Sequence, residues 1–348
     1  MEKRLSGSEL DVEAQPSVRM RDVARALGVS VSTVSRALSQ PDMVSVETLE
    51  RVGAMAARMR YRPNLAARDL RTRTTRTLLV IIPSFSPLFL EIFRGAEREA
   101  VRQGYSVLMA HSGGDADREH VFLDQVLSQR ADGIVLVTTA DPGRLIERQP
   151  SLPIMVTAVD TISGIGAPNM RIDNVAAARA AVEHLIGLGH RRIAHIGGPT
   201  DSLMARDRAQ GFAEAVAAAG LEPAHCPILT GDVTLATGEA LMARLLTRYP
   251  RPTAVLAAND ELAVGALQAV KRDGLRIGAD ISVIGFDDLR FGMLYDPPVT
   301  TVAFDKVELG RLAMAALIAR IEGRSEGSDV TLPTRLVIRG TCAAPAAA

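Results

Sequence analysis

The chain has 348 residues with 40 basic and 40 acidic side chains, is 47% apolar, and carries 3% aromatic residues and no tryptophan. That length leaves room for two or three domains and a large core of the Ala/Val/Leu kind. Cys226 and Cys342 are too few for a disulfide framework or a cysteine zinc site; no apolar run approaches the roughly 18–20 residues of a membrane helix and no apolar signal segment opens the chain, so a cytoplasmic protein without a membrane partner is expected.

Residues 1–17 are polar and unpatterned and are expected to form a disordered tail. Residues 18–62 read as a small all-α head with helices over 21–27, 31–38 and 47–59 and a loop over 41–46. Val23, Ala24 and Leu27 share one face of the first helix, and Val31, Val34 and Leu38 one face of the second. Gly28-Val29-Ser30 supplies a tight turn followed by an N-cap, since glycine tolerates positive φ and a serine oxygen accepts the free amides of the next helix. Ser45 caps the third helix, whose core stripe is Val52, Met55, Ala56 and Met59. This is the pattern of a helix-turn-helix, whose second helix enters the DNA major groove. The surface it would present is Ser30, Val31, Ser32, Thr33, Ser35 and Arg36, hydroxyls and a guanidinium that reach phosphates and base edges. An ordinary helical hairpin with a solvated polar face is the alternative.

Charge supports the nucleic-acid reading. Residues 19–76 hold twelve arginines and five acids, a balance of +7, whereas residues 77–348 hold 26 basic and 31 acidic residues, a balance of −5. A basic head on an acidic body favours nucleic acid at one end only.

Pro63-Asn64 ends the third helix, and residues 65–70 form a short helical pattern before the basic run RTRTTR, so 63–76 is a linker whose six-residue helix is marginal alone. From residue 77 apolar runs alternate with amphipathic helices. Strands are expected over 78–82, 105–110, 133–137, 154–158, 192–196, 254–257 and 282–285, and helices over 88–103, 116–129, 176–188, 205–219, 235–248, 261–272 and 306–322. Buried apolar strands alternating with helices imply parallel sheets. The number of units exceeds one comfortable sheet, so residues 77–341 are expected to form an α/β body of two Rossmann-like lobes with a cleft between them, followed by a tail over 342–348.

Open parallel sheets bind ligands outside the carboxyl ends of their strands. The candidates are therefore Ser84 and Phe85 with Phe89, the Ala158–Asp160 turn, Asp173-Asn174, the Gly197–Ser202 loop, Asn259-Asp260 and Asp287-Asp288. The tools of catalysis are missing. No GxGxxG follows the first strand, no GxxxxGK[ST], HExxH or GxSxG occurs, and the histidines at 111, 120, 184, 190, 195 and 225 show no metal spacing. His190 reads as structural. A protein without enzymatic activity and without a cofactor is expected.

The words DVARALGVSVSTVSRAL, YRPNLAARDL, VIGFDD and DPPVTTV occur in an order that resembles the LacI/GalR family of bacterial repressors, over about residues 18–341. RTLLVIIP, EIFRGAE, GYSVLMA, IDN and GFDD are most similar to the branch of the family that answers to cytidine. The resemblance implies a helix-turn-helix head on a periplasmic-binding-protein-like body, acting as a homodimer on double-stranded DNA with a pseudo-palindromic operator, under a small-molecule effector. It implies that residues 65–70 form a hinge helix on DNA, that Asn64 just before it and Ala67 and Leu70 within it touch the operator, and that Leu70 wedges between base steps. It makes Arg208, in RAQGF, the residue that clamps the effector, with Asp287 after the IGF strand and Asn259 in AANDELAVGAL as polar contacts. Each has a plainer alternative: Arg208 as a surface cation, Asp287 as the cap of a helix over 288–291, Asn259 as the cap of the helix over 261–272. Purine-binding members carry an aromatic where Val233 stands and an aspartate where Ala158 stands, so a nucleoside and a sugar both remain admissible. No leucine heptad follows Thr341, so a dimer is expected rather than a tetramer. A solute-binding protein or a sugar-processing enzyme on the same body is the competing reading, which the head argues against.

Overall fold

The computed structural model describes residues 18–39, 41–62, 74–128, 130–138, 152–159, 166–248 and 250–346. The chain divides into two compact units, 1–73 and 74–348. Asn64, Ala67 and Leu70 of the expected hinge lie outside the described residues.

Among the described residues the first unit contains three α-helices, α1 (Met20–Leu27), α2 (Val31–Ser39) and α3 (Val46–Arg58). Gly28 ends α1 in the left-handed region at φ 70°, and the Val29 amide closes back on the Ala24 carbonyl at 3.1 Å. This is the left-handed helix stop that favours glycine. Ser30 then caps α2, its Oγ accepting from the Thr33 amide at 3.0 Å. Ser45 caps α3 through the Thr48 amide. Val23, Ala24, Val34, Ala37 and Val52 form the buried centre, with Leu27, Leu38, Met55 and Met59 packed around it. Val31, assigned by pattern to both faces, is on the outside at 47% exposure.

The second unit is built on two six-stranded sheets. The first sheet holds β1 (Thr77–Ile82), β2 (Ser106–His111), β3 (Gly133–Thr138), β4 (Met155–Val159), β5 (Asn169–Ile172) and β11 (Val330–Leu332). The second holds β6 (Ile193–Gly197), β7 (Ile228–Thr230), β8 (Ala254–Ala257), β9 (Ser282–Phe286), β10 (Thr300–Ala303) and β12 (Arg335–Val337). Their orders are β11-β5-β4-β3-β1-β2 and β12-β10-β9-β8-β6-β7. Central strands such as β4, β6, β8 and β9 are buried throughout, because helices cover both sheet faces.

Lobe 1 carries α4 (Pro87–Arg102), α5 (Ala116–Leu127) and α11 (Lys306–Ile321); lobe 2 carries α6 (Asn174–Gly187), α7 (Leu203–Ala218), α8 (Leu235–Leu246), α9 (Asp260–Arg272) and the short α10 (Arg290–Leu294). The chain therefore passes between lobes after β5, after β10 and after β11. Close helix crossings hold the layers. A Cβ on Gly95 of α4 would strike the Val307 carbonyl of α11, and one on Gly310 of α11 would strike the Ile92 carbonyl of α4.

One expectation is corrected. The second sheet is not wholly parallel, since β12 runs antiparallel to β10, pairing Thr301 with Val337 and Ala303 with Arg335. The reason is the path of the chain. β10 ends at the crossing between lobes, and β12 begins at the next crossing, so it starts where β10 stops and runs back along it. The strands β5, β7, β10, β11 and β12 carry only three or four residues each and were absent from the expected series.

Candidate functional site: an inter-lobe cleft and an exposed helix face

The strands β1 and β2 of lobe 1 and β6, β7, β8 and β9 of lobe 2 direct their carboxyl ends toward one cleft of about 240 Å³. Pro83, Ser84, Leu88 and Phe89 form part of one wall; Pro199, Ser202, Asn259, Glu261 and Val233 form part of the other. Three helices begin here. Ser86 precedes α4, Ser202 caps α7 through the Ala205 amide, and Asn259 caps α9 through the Leu262 amide.

Arg208 and Asp287 form the floor. The Arg208 side chain is 1% exposed, so it is no surface cation. Its Nε donates to Asn174 Oδ1 at 2.9 Å, one terminal nitrogen donates to the Ala258 carbonyl, and the other meets Asp287 Oδ1 at 3.1 Å. Its guanidinium lies 3.6 Å from the centre of the Phe286 ring. A buried cation needs this much company, because an unpaired charge there would be expelled or neutralised. Asp287 caps no helix: α10 starts at Arg290 with no side-chain cap. Instead Asp287 sits at φ 94°, a left-handed conformation that points its carboxylate at Arg208. Its backbone carbonyl accepts from Lys306 Nζ at the start of α11.

Asn259 is the cap of α9, its Oδ1 accepting from the Leu262 amide at 2.9 Å, and also stands on the cleft. Beneath it Asp260 is buried and accepts from the Leu289 amide at 2.6 Å and the Thr301 hydroxyl at 2.7 Å. Burial above all raises the Asp260 carboxyl to about 7. A Cβ on Gly285 would collide with that carboxylate, which fixes the glycine of the IGF strand. His195, fully buried under the floor, stacks on Phe212 at 5.4 Å. Its Nδ1 pairs with the Leu256 carbonyl at 2.9 Å, and burial pushes its pKa down to about 4.

Of the residues singled out by sequence, Ser84, Phe89, Arg208, Asn259 and Asp287 come together around the cleft. Phe85 does not. It is 58% exposed and its ring lies 4.6 Å from that of His111. The turn Ser84-Phe85-Ser86 sends alternate side chains to opposite sides, so the serines face the cleft and the phenylalanine faces away. Asp173 caps α6, Asp288 pairs with Arg339 at 2.6 Å, and Ala158 is buried within β4. His190 is structural, bonded to Thr253, Ser282 and the Ala343 carbonyl. Glu261 on the cleft wall was missed. A charged residue in a first helical turn reads as solvated, and only its place directly after Asn259-Asp260 hinted otherwise.

On the head, Ser32 and Arg36 are exposed and Thr33 and Ser35 half-buried. The hydroxyls of Ser32 and Thr33 both lie 2.7 Å from Ser30 Oγ, so the cap also anchors the start of the α2 surface. Among the described residues no group of histidines, cysteines and carboxylates is arranged to hold a metal, and no helix is long and apolar enough to cross a membrane.

Residues 19–64 match the model of bacterial regulatory proteins of the lacI family, and residues 182–342 match a periplasmic binding protein-like domain. The chain is 38% identical over 330 residues to the HTH-type transcriptional repressor CytR of Escherichia coli K12, covering 94% of this chain and 97% of the relative. It is 36% identical over 307 residues to the ribose operon repressor of the same organism, covering 87% of this chain and 92% of the relative. A crystal structure of the lac repressor dimer bound to operator and the anti-inducer ONPF superposes with a TM-score of 0.84 at 30% identity, covering 94% of this chain and all of that one.

Proposed function

This chain belongs to the lacI family of bacterial regulatory proteins, and from that membership we propose that its inter-lobe cleft takes a nucleoside or a sugar as the signal that sets operator affinity. The protein is a DNA-binding transcriptional repressor, as its relatives are. The observation that carries the effector reading is the buried Arg208–Asp287 pair at the floor of a cleft whose lining is mostly apolar. Fixed donors and acceptors on an apolar lining suit a polyhydroxylated ring.

Two copies on a pseudo-palindromic site account for the regulator, because a symmetric dimer reads a symmetric operator. Ser30, Val31, Ser32, Thr33, Ser35 and Arg36 face DNA in this reading, and Asn64, Ala67 and Leu70 follow in the hinge by family resemblance. The setting is the cytoplasm. The effector acts only by binding the DNA-bound and free forms with different affinity, and it lowers operator affinity by favouring the free form.

The test is a thermal-shift screen of nucleosides and sugars on the full chain, since a ligand of the folded state raises its melting temperature. Hits are then added to the protein on an operator selected from a palindromic library. Stabilisation with release of DNA supports the reading; stabilisation with unchanged DNA affinity removes the regulatory role of the cleft.

A further inference from the structure

We infer that Glu261 is a specificity carboxylate of the cleft, which admits an uncharged hydroxyl- or amine-bearing ring and rejects its phosphorylated form. The inference rests on the reading of the cleft as a nucleoside or sugar site.

Charge decides it. Among the described residues of the lining, Arg208 is the one cation. Its guanidinium donates to Asn174, the Ala258 carbonyl and Asp287, and its face lies on Phe286. It is therefore committed to holding the floor. Two carboxylates stand against it, Asp287 and Glu261. Asp287 is the partner of Arg208. Glu261 is half-buried and has no hydrogen bond or ion pair among the described residues. Burial first, and the Asp287 charge second, raise its carboxyl above the ordinary range. A carboxylate kept beside a second carboxylate without a protein partner has a positional use in receiving donors from a ligand.

The helix ends weigh in the other direction and are not enough. α4, α7 and α9 all begin at the cleft, and each N-terminus acts as about half a positive charge. Counted over the groups that line the cleft, they leave it, with Arg208 and the two carboxylates, about half a charge positive, whereas a phosphate monoester brings about −1.5 to −2. Removing Glu261 would leave about +1.5, close to what a phosphate needs. Moreover α4 has Pro87 at its first position and so lacks one amide. The partial charges that remain suit the dipoles of hydroxyl, carbonyl and ring oxygens. The lobe 1 wall thus donates from Ser84, Ser86 and the start of α4, and the lobe 2 wall accepts through Glu261.

The experiment compares matched pairs on the full chain by calorimetric titration: cytidine against cytidine 5′-monophosphate, and ribose against ribose 5-phosphate. The expected result is binding of at least one parent molecule, with its phosphorylated form weaker by about tenfold or more. Glu261→Gln should narrow that gap by about tenfold, and Glu261→Lys should close or invert it. Equal or tighter binding of the phosphorylated partner by the natural chain overturns the inference, and so does a gap that neither variant moves. Binding by neither parent molecule overturns the reading of the cleft itself, an outcome distinct from loss of discrimination.

Discussion

Lys306 Nζ donates to the backbone carbonyl of Asp287, tying the first residue of a lobe 1 helix to the floor of the cleft in lobe 2. Lys306 is 6% exposed, and its nearest carboxylate is Glu91 of α4 at 3.9 Å. α4 also carries Leu88 and Phe89 of the opposite wall. One cation therefore links the floor of the cleft in lobe 2 to the helix that carries the lobe 1 wall, at the second crossing of the chain between lobes. Asp287 is held at a positive φ that an aspartate adopts only when its surroundings impose it. Lys306→Met should cost about 1–3 kcal/mol by leaving that carbonyl unsatisfied. It should also uncouple ligand binding from DNA release while the ligand still binds. Melting temperature and ligand-dependent operator affinity measure the two effects. Unchanged ligand response would make Lys306 a structural cation only.

The floor pair should show strong coupling. Arg208→Ala leaves Asp287 buried without its cation, and loss of one partner of a buried pair costs about 3–5 kcal/mol. Arg208→Met combined with Asp287→Leu removes both charges. The double variant should be more stable than the sum of the two single changes predicts, by more than about 1 kcal/mol. Neither single variant should retain a ligand-induced rise in melting temperature. Additive losses in denaturant unfolding would mean that Asn174 and the Ala258 carbonyl, not Asp287, hold the guanidinium.

Much of this was legible in the residues. The long apolar runs of β1, β4 and β9 and the amphipathic turns of α4 and α9 stand out by period. Strands of three or four residues such as β10 and β12 do not, because their burial is decided by neighbours far along the chain. The motif around Gly28 and Ser30 was readable because positive φ and capping are local demands. Side-chain direction in a turn is not local, which is why Phe85 was expected inside. Arg208 could not be told from a surface cation by spacing, since its partners Asn174, Ala258 and the Phe286-Asp287 pair come from three separate segments. Glu261 was unreadable for the opposite reason: its environment is the cleft, which exists only after both lobes have formed.

On the head, Arg36 is exposed and outside the core, so Arg36→Ala should leave the fold intact. Loss of a bidentate base contact costs about 1–3 kcal/mol, or roughly tenfold to a hundredfold in operator affinity, with specificity relaxed at one position. Ser30→Ala acts differently. It removes the cap of α2 and frees the hydroxyls of Ser32 and Thr33, at a cost of about 1 kcal/mol in head stability. Anisotropy titrations on matched and single-mismatch operators separate the two. A uniform loss across all sequences for Arg36→Ala would assign it to phosphate.

Two buried groups of lobe 2 give opposite pH slopes. His195 titrates near 6.5 in an unfolded chain and at about 4 in the fold. The Leu256 carbonyl can only accept, so Nδ1 carries the proton, and Nε2 has no partner to receive another. A depressed histidine favours the fold at high pH, and that stability is lost as pH falls from about 6.5 toward 4. Asp260 titrates near 3.9 unfolded and at about 7 in the fold. Here the folded state holds the extra proton, so burial of the charged form destabilises the protein above pH 7 and is relieved on acidification. The two slopes oppose each other between pH 4 and 6.5. His195→Phe keeps the stack on Phe212 and deletes the first. Its stability should then fall steadily as pH rises from 4 to 7, whereas the natural chain should vary little below pH 6.5. Urea midpoints across that range measure it, and the slope rather than the level is the readout. A variant with the same pH profile as the natural chain would show that protonated His195 finds an acceptor.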